Sequence, residues 1–409
     1  MIWNGSNRRT FAVVLAGFSA FLTLYAPQPL LPMLGHAFHK SPAEVSLLVS
    51  ISTLAVALAA PLAGSIADRW GRKRVIVPAT LLLAVPTLAA ATSGSFGQLL
   101  FWRFWQGILT PGIFAVTVAY INEEWHEGAG AAVAAYVTGT VLGGFCGRTL
   151  AAVVAGHLAW QWAFALLGIL TAGCGAGVWR WLPQDRVRPR RAGGAARSIL
   201  RHLRNPQLLA TYAAGFCVLF SLLGTFTYVN FYLAAPPFYL GTTALGMLFV
   251  VYLVGAVVTP WAGRWIDRVG HRAAFSGALA LALSGCLLTL VRSLPLIVAG
   301  LAISCTGVFI AQSAANAYIG IVATEAKAAA VGLYVTFYYL GGSFGAALPG
   351  HVWPLGGWPA CVALIATVQL ATIAVARCFW RAPQAAAPVV MELKAALEER
   401  GLPVSEIGA

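Results

Sequence analysis

Long apolar stretches alternate with short clusters of charged and turn residues along the whole chain. The apolar segments fall at about residues 10–36, 45–67, 75–93, 98–122, 129–157 and 160–182. After a polar gap they resume at about 206–234, 241–263, 273–291, 294–320, 328–353 and 358–380. A helix needs roughly 20 apolar residues to cross a bilayer. Backbone groups in lipid must be satisfied within their own segment, so the pattern predicts helices and not open strands. The chain reads as an all-α polytopic membrane protein with 12 transmembrane helices in two six-helix bundles. Residues 1–182 form the first bundle, 183–205 a basic linker, 206–380 the second bundle and 381–409 a tail. In the tail, Val389, Val390, Leu393, Ala396 and Leu397 predict a short amphipathic helix at about 389–400, with Gly401 as its C-cap.

Composition narrows the class. Of 409 residues, 59% are hydrophobic and 9% charged, against about 25% charged in soluble domains. That excludes an ordinary soluble enzyme, a disordered chain and a disulfide scaffold. The seven cysteines sit in or at the ends of apolar runs, away from metal-ligand spacing. They read as small packing residues, with no metal site and no disulfide framework. Arg8 and Arg9 ahead of the first run mimic a signal peptide. The run continues too far for that and is punctuated by Pro27, Pro29 and Pro32, so it reads as a retained first span.

The net charge of +14 is explained by topology. With the N-terminus inside, inside segments hold 22 of the 26 Lys and Arg, and outside loops hold only Lys40 and Arg292. The other two, Arg103 and Arg148, fall within spans. This split predicts cytoplasmic N- and C-termini in a multi-pass inner-membrane protein. The linker carries Arg186, Arg188, Arg190, Arg191, Arg197, Arg201 and Arg204 and reads as an anchor on anionic lipid.

The chain is internally duplicated. Pro61-x-Ala63-Gly64-x-x-x-Asp68-Arg69-x-Gly71 recurs 199 residues later as Pro260-x-Ala262-Gly263-x-x-x-Asp267-Arg268-x-Gly270. Tyr136-Val137-Thr138 with Leu142, Gly143, Gly144 and Gly147 recurs 198 residues later as Tyr334-Val335-Thr336 with Leu340, Gly341, Gly342 and Gly345. Two parallel six-helix copies around a midplane site are a transporter arrangement.

Gly64-Ser65-Ile66-Ala67-Asp68-Arg69-Trp70-Gly71-Arg72-Lys73-Arg74 closely resembles the helix 2–3 loop signature of the major facilitator superfamily. Arg103-x-x-Gln106-Gly107 is similar to that family's helix 4 signature. The resemblance covers essentially the whole chain. The helix 5 and helix 11 repeats, with Gln28-Pro29-Leu30-Leu31-Pro32, resemble the YnfM-type branch of inner-membrane transporters. The resemblance implies alternating access, a substrate between the halves, export of a small organic solute with proton antiport, and a monomer.

The resemblance also implies a cytoplasmic gate in which Arg72 pairs with an acid at the inner end of helix 4. Gly64, Asp68, Arg69, Gly71 and Arg72 would form it with Glu123, Glu124 and Glu127. Asp267, Arg268 or Arg272 with Glu325 would form its repeat. Gly139, Gly143, Gly144, Gly147, Gly341, Gly342 and Gly345 suit close helix packing.

Charges inside a membrane default to functional hypotheses, so Arg103 and Arg148 are candidate pathway residues. For Arg103, bonding to carbonyls at a helix break is the competing structural role. Tyr25, Gln28, Gln106, Tyr120, Asn230, Gln312, Asn316, Tyr338 and Tyr339 are uncharged pathway candidates, each equally suited to an interhelical bond. Glu44 fits a capping box, Ser41-Pro42-Ala43-Glu44. No acid lies near the middle of a span, unlike the embedded carboxylate of many proton-coupled exporters in the resembled superfamily. That departure argues against cationic substrates and carboxylate-based coupling, and unpaired Arg148 favours an anionic or zwitterionic one. His36, His157 and His351, near outer helix ends, are the candidate proton sensors.

Gly341-x-Ser343-x-Gly345 matches a hydrolase elbow by composition but sits inside a span, and no G-x-x-x-x-G-K loop is present. The chain is therefore not read as an enzyme and needs no cofactor. The leading reading is a secondary active exporter. The alternatives are a facilitator or importer of an organic anion, and a non-transporting membrane sensor with the linker as its output.

Overall fold

A computed structural model describes residues 5–125, 128–185, 200–323 and 325–381. Glu127, most of the linker and the predicted tail helix lie outside the described residues. The described chain is helical almost throughout. Ten helical stretches are long and apolar enough to cross a membrane, and two further segments complete twelve. We number them α1 (Gly5–Leu24), α2 (Leu47–Trp70), α3 (Lys73–Ala91), α4 (Phe96–Glu124), α5 (Ala129–His157) and α6 (Trp160–Trp181). The second half holds α7 (Pro206–Ala234), α8 (Val251–Val269), α9 (His271–Leu288), α10 (Leu294–Val322), α11 (Lys327–Ala347) and α12 (Pro349–Phe379). The basic loops mark one end of the helices, called here the basic end, and the opposite end is the far end.

Two spans are interrupted toward the far end. Proline at 27 has no N–H and cannot continue the α1 ladder. The chain turns over residues 25–27, forms a 3-10 turn at Gln28–Leu30 and resumes as a short helix, Leu31–Phe38. Before α8 comes a short helix, Thr242–Met247, and a 3-10 turn, Leu248–Val250. Between them α2 is preceded by one turn, Pro42–Val45, capped by the expected box. Ser41 Oγ accepts from Glu44 N at 3.3 Å, and Glu44 Oε2 accepts from Ser41 N at 3.0 Å.

One boundary differs from the sequence expectation. The predicted segment 328–353 ends early, because α11 stops at Ala347 and Pro349 starts α12 as an N1 residue. Residues 349–355 form a short first piece of α12, and the backbone leaves the helical region at Gly356 and Gly357 (φ 60° at Gly357) before the longer piece resumes at Trp358.

Helix packing follows the repeat. A Cβ on Gly139 would lie 2.5 Å from the carbonyl oxygen of Val14, and Gly143 and Gly147 meet the carbonyls of Phe18 and Leu22 in the same way. In the second half Gly341 and Gly345 meet the carbonyls of Phe216 and Phe220 on α7. Phe18 and Phe216, like Leu22 and Phe220, are 198 residues apart. Glycine every fourth residue lets α5 lie directly on α1, and α11 on α7.

The halves touch at the far end. Ser50 and Ser343 share a hydrogen bond at 2.9 Å, the Tyr228 hydroxyl meets Ser46 at 2.9 Å, and Gln28 Nε2 donates to Thr227 Oγ1 at 3.3 Å. A Cβ on Gly350 would lie 2.6 Å from Ala43 Cα in the other half. Toward the basic end, Gly64, Gly128, Gly130, Gly263 and Gly332 have open space around the same position. Among the described residues, therefore, the two halves are in direct contact at the far end.

Overpacking a tight helix contact costs about 1–3 kcal/mol. Gly143→Ala and Gly341→Ala should each lower the thermal unfolding midpoint in detergent, and Gly64→Ala should not. Equal midpoints for all three would contradict the glycine ladder.

Candidate substrate site

Both intramembrane arginines are buried, but they are used differently. Arg103 on α4 is fully buried. The break after Leu24 frees carbonyls that Pro27 and Gln28 no longer satisfy. Arg103 Nη1 donates to Thr23 O at 3.0 Å, and Nη2 donates to Leu24 O. Its Nε reaches Leu48 O at 3.0 Å, and Gln106 Oε1 accepts a further bond. Gln106 Nε2 in turn donates to Pro86 O at 3.3 Å. Arg103 thus staples the α1 break to the start of α2. This is the competing structural role of Arg103, and Gln106 shares in it.

Arg148 on α5 sits where the halves meet and is only 3% exposed. The glycine ladder brings its guanidinium against the α1 break, where Nε donates to Gln28 Oε1 at 2.8 Å. Nη1 donates to Gly144 O, one turn back, at 2.7 Å. The other terminal nitrogen has no hydrogen-bond partner among the described residues. Three rings surround the charge: Tyr25 from α1's end, Phe249 from the 3-10 turn and Tyr252 from α8, each with its centroid 4.8 Å from Cζ. Ring faces attract a cation within about 6 Å, worth about 2 kcal/mol or more when water is excluded. No carboxylate lies within ion-pair distance of Arg148 among the described residues.

The aromatic cluster continues across the junction. Phe114 on α4 packs on Tyr339 of α11 at 5.5 Å, and Tyr339 meets Tyr338 at 5.3 Å. The Tyr25 hydroxyl faces Tyr339, and Gln312 on α10 faces Tyr338. The structure therefore brings Tyr25, Gln28, Arg148, Gln312, Tyr338 and Tyr339 together. Phe249, Tyr252 and Phe114 were not singled out from sequence. Only the break before α8 turns Phe249 and Tyr252 toward Arg148, and an apolar run gives no sign of that.

Other candidates lie elsewhere. The Tyr120 hydroxyl donates to Pro183 O at 3.2 Å, tying the chain after α6 to α4. Its repeat partner Tyr318 does the same to Arg381 O, also at 3.2 Å. Both are tethers at the basic end. Asn230 donates to Phe226 O on its own helix, and Asn316 is exposed. His36, His157 and His351 are exposed at the far end. No group of His, Cys, Asp and Glu among the described residues is arranged to hold a metal.

At the basic end Arg72 bridges two acids. It donates to Glu123 at 3.0 and 2.7 Å and meets Asp68 at 2.7 Å. Hydrogen bonding to Glu123 holds the guanidinium above its ordinary pKa. The arginine therefore keeps its charge between the two acids. Asp185, unremarked in the sequence, accepts from Lys73 N at 3.0 Å and caps α3. Glu124 is buried at the end of α4, where Arg9 donates to its backbone oxygen and stacks on Trp125 at 3.6 Å.

Among the described residues, no ion pair joins Glu325 to Arg268 or Arg272 as the repeat of this clamp would require. Glu325 pairs with Arg201 instead. The reason is local: at the repeat offsets His271 replaces Arg72 and Ile321 replaces Glu123.

The model of the Major Facilitator Superfamily matches residues 13–345 and 236–403. The chain is 33% identical over 372 residues to the inner membrane transport protein YnfM of Escherichia coli (strain K12), covering 90% of this chain and 89% of that protein. The chain belongs to the Major Facilitator Superfamily. It is also 31% identical to the MFS-type transporter YybF of Bacillus subtilis (strain 168), covering 89% of this chain and 91% of the relative. A bacterial homologue of the human lysosomal transporter Spinster, solved inward-facing and unoccupied, superposes with a TM-score of 0.71 at 16% identity. That alignment covers 92% of this chain and 95% of the other. The likeness shows the fold. The superfamily and these relatives make the chain a membrane transporter that resembles the YnfM branch.

The two arginines should separate cleanly. Arg103→Gln leaves freed carbonyls unpaired in a buried site, at about 1–3 kcal/mol each, and should sharply cut the yield of folded protein. Arg148→Gln should fold with near wild-type yield and elution by size-exclusion chromatography. The reverse ranking would contradict the assignment.

Proposed function

We propose that the chain moves a small organic anion across the inner membrane by alternating access of its two halves, with Arg148 as the charge that receives the substrate. One observation carries this reading: a buried guanidinium at the junction of the halves, ringed by aromatics, with no carboxylate beside it among the described residues. A buried charge is costly unless paired. The rings and two hydrogen bonds offset part of that cost, and an anionic substrate would offset the rest. Aromatic walls would suit an apolar body behind the anionic group.

The basic end faces the cytoplasm in this reading, and so do both termini. The far-end contacts then form the outer gate, and the state described is shut to the outside. The Arg72 clamp with Asp68 and Glu123 is the inner gate's lock within the first half. The protein works as a monomer. The family resemblance favours export by proton antiport. Without an embedded carboxylate among the described residues, facilitation or import of the anion has equal geometric support. An imposed pH gradient separates these modes.

Counterflow in proteoliposomes tests the proposal. A panel of labelled small organic acids should include one that wild type exchanges, and Arg148→Gln should lose about tenfold or more of its apparent affinity. If wild type takes up a permanent cation and Arg148→Ala does so with undiminished affinity, the reading fails. Lack of counterflow for any solute would favour the non-transporting sensor.

A further inference from the structure

The basic end of the second half carries two hollows that play no part in the transport reading. Arg201, Arg204 and Arg381 line a cavity of about 480 Å³ where the linker enters α7 and α12 ends. An adjoining cavity of about 390 Å³ shares Arg381 and adds Arg272, Arg377 and His271. Among the described residues only Arg201 of these five arginines has an acid partner, Glu325. The first turn of α7 is already capped, since Asn205 Oδ1 accepts from Gln207 N at 2.9 Å and Leu208 N at 3.3 Å. Binding capacity for an anion therefore rests on the guanidinium groups and not on the helix end.

Topology explains why arginines lie at this end. It does not explain why they converge on one concavity. Nor does the duplication: at the repeat offset Arg381 corresponds to Pro183 and Arg377 to Trp179. The two arginines that the end of α12 gives to the hollow are thus an addition to the second half. Its other wall is apolar, because the last turn of α12 leaves Cys378 and Phe379 exposed beside the arginines. A ligand that fits has an anionic head for planar guanidinium forks and an apolar body to lie along Phe379.

We infer that this hollow binds the phosphate headgroup of an anionic phospholipid from the leaflet at the basic end. Arg204 and Arg381 hold the phosphate, and Phe379 meets the top of an acyl chain. The lipid thereby ties the end of the linker to the end of α12. The resident charge is specific to this place, beyond a diffuse attraction of the basic end for the membrane.

The test uses the full chain in mixed micelles, read by native mass spectrometry for retained lipid. Wild type should retain phosphatidylglycerol and not phosphatidylcholine. The double variant Arg204→Gln with Arg381→Gln should bind about tenfold more weakly. Arg74→Gln with Arg180→Gln removes the same charge at the same end of the other half and should leave retention unchanged. Arg204→Lys with Arg381→Lys keeps the charge without the planar fork and should recover part of the binding lost in the Gln pair, which separates loss of the site from misfolding. Equal weakening in both Gln pairs would reduce the effect to diffuse charge and overturn the proposal. So would retention of phosphatidylcholine, or displacement of the lipid by inorganic phosphate at equal concentration.

Discussion

The structure is organised around one buried guanidinium. Arg148 reaches its place because Gly139, Gly143 and Gly147 let α5 lie against the carbonyls of α1. It meets Gln28 because Pro27 breaks α1 at that level, and it meets Phe249 and Tyr252 because the span leading into α8 is broken at the corresponding level. The far-end contacts between the halves then close over it. A bilayer interior gives no water to solvate the charge, so each neighbour acts on its cost. Ring faces and neutral oxygens lower that cost without cancelling the charge, and the proposed anionic substrate rests on that remainder.

Arg103 shows the opposite use of the same side chain. It lies in the same half and is equally buried, but its donors are matched to carbonyls that a broken helix sets free. Such an arginine stabilises the break and has little left to offer a solute. Arg148 has one carbonyl, one amide oxygen and three rings. The difference lies in the partners, not in depth or burial.

Much of the architecture was legible because it is written in period and repetition. Span positions follow from apolar length, and the 198-residue offset reappears in three dimensions as paired glycine ladders and as the Tyr120 and Tyr318 tethers. Arg148, Gln28, Tyr25 and Tyr339 stood out because polar groups are rare in such spans. What stayed hidden depends on tertiary partners. Tyr120 points to a backbone oxygen at the basic end, although its residue type suits a pocket equally well. Phe249 and Tyr252 look like ordinary span residues until the break turns them inward. Glu325 sits where a repeat predicts a clamp, but His271 and Ile321 have replaced the residues that would complete it, and Arg201 from the linker takes the acid instead.

The halves are thus alike in framework and unlike in charge. The first half holds the central arginine and the ion-paired loop, and the second holds aromatic walls and a basic hollow at its end. The central claim is that charge complementarity at Arg148 selects the solute. The most direct measurement is counterflow by the wild-type protein of small organic carboxylates, each paired with its neutral amide of the same shape. Exchange of a carboxylate about tenfold or more better than of its amide is the expected result. Equal exchange of the two would contradict the account.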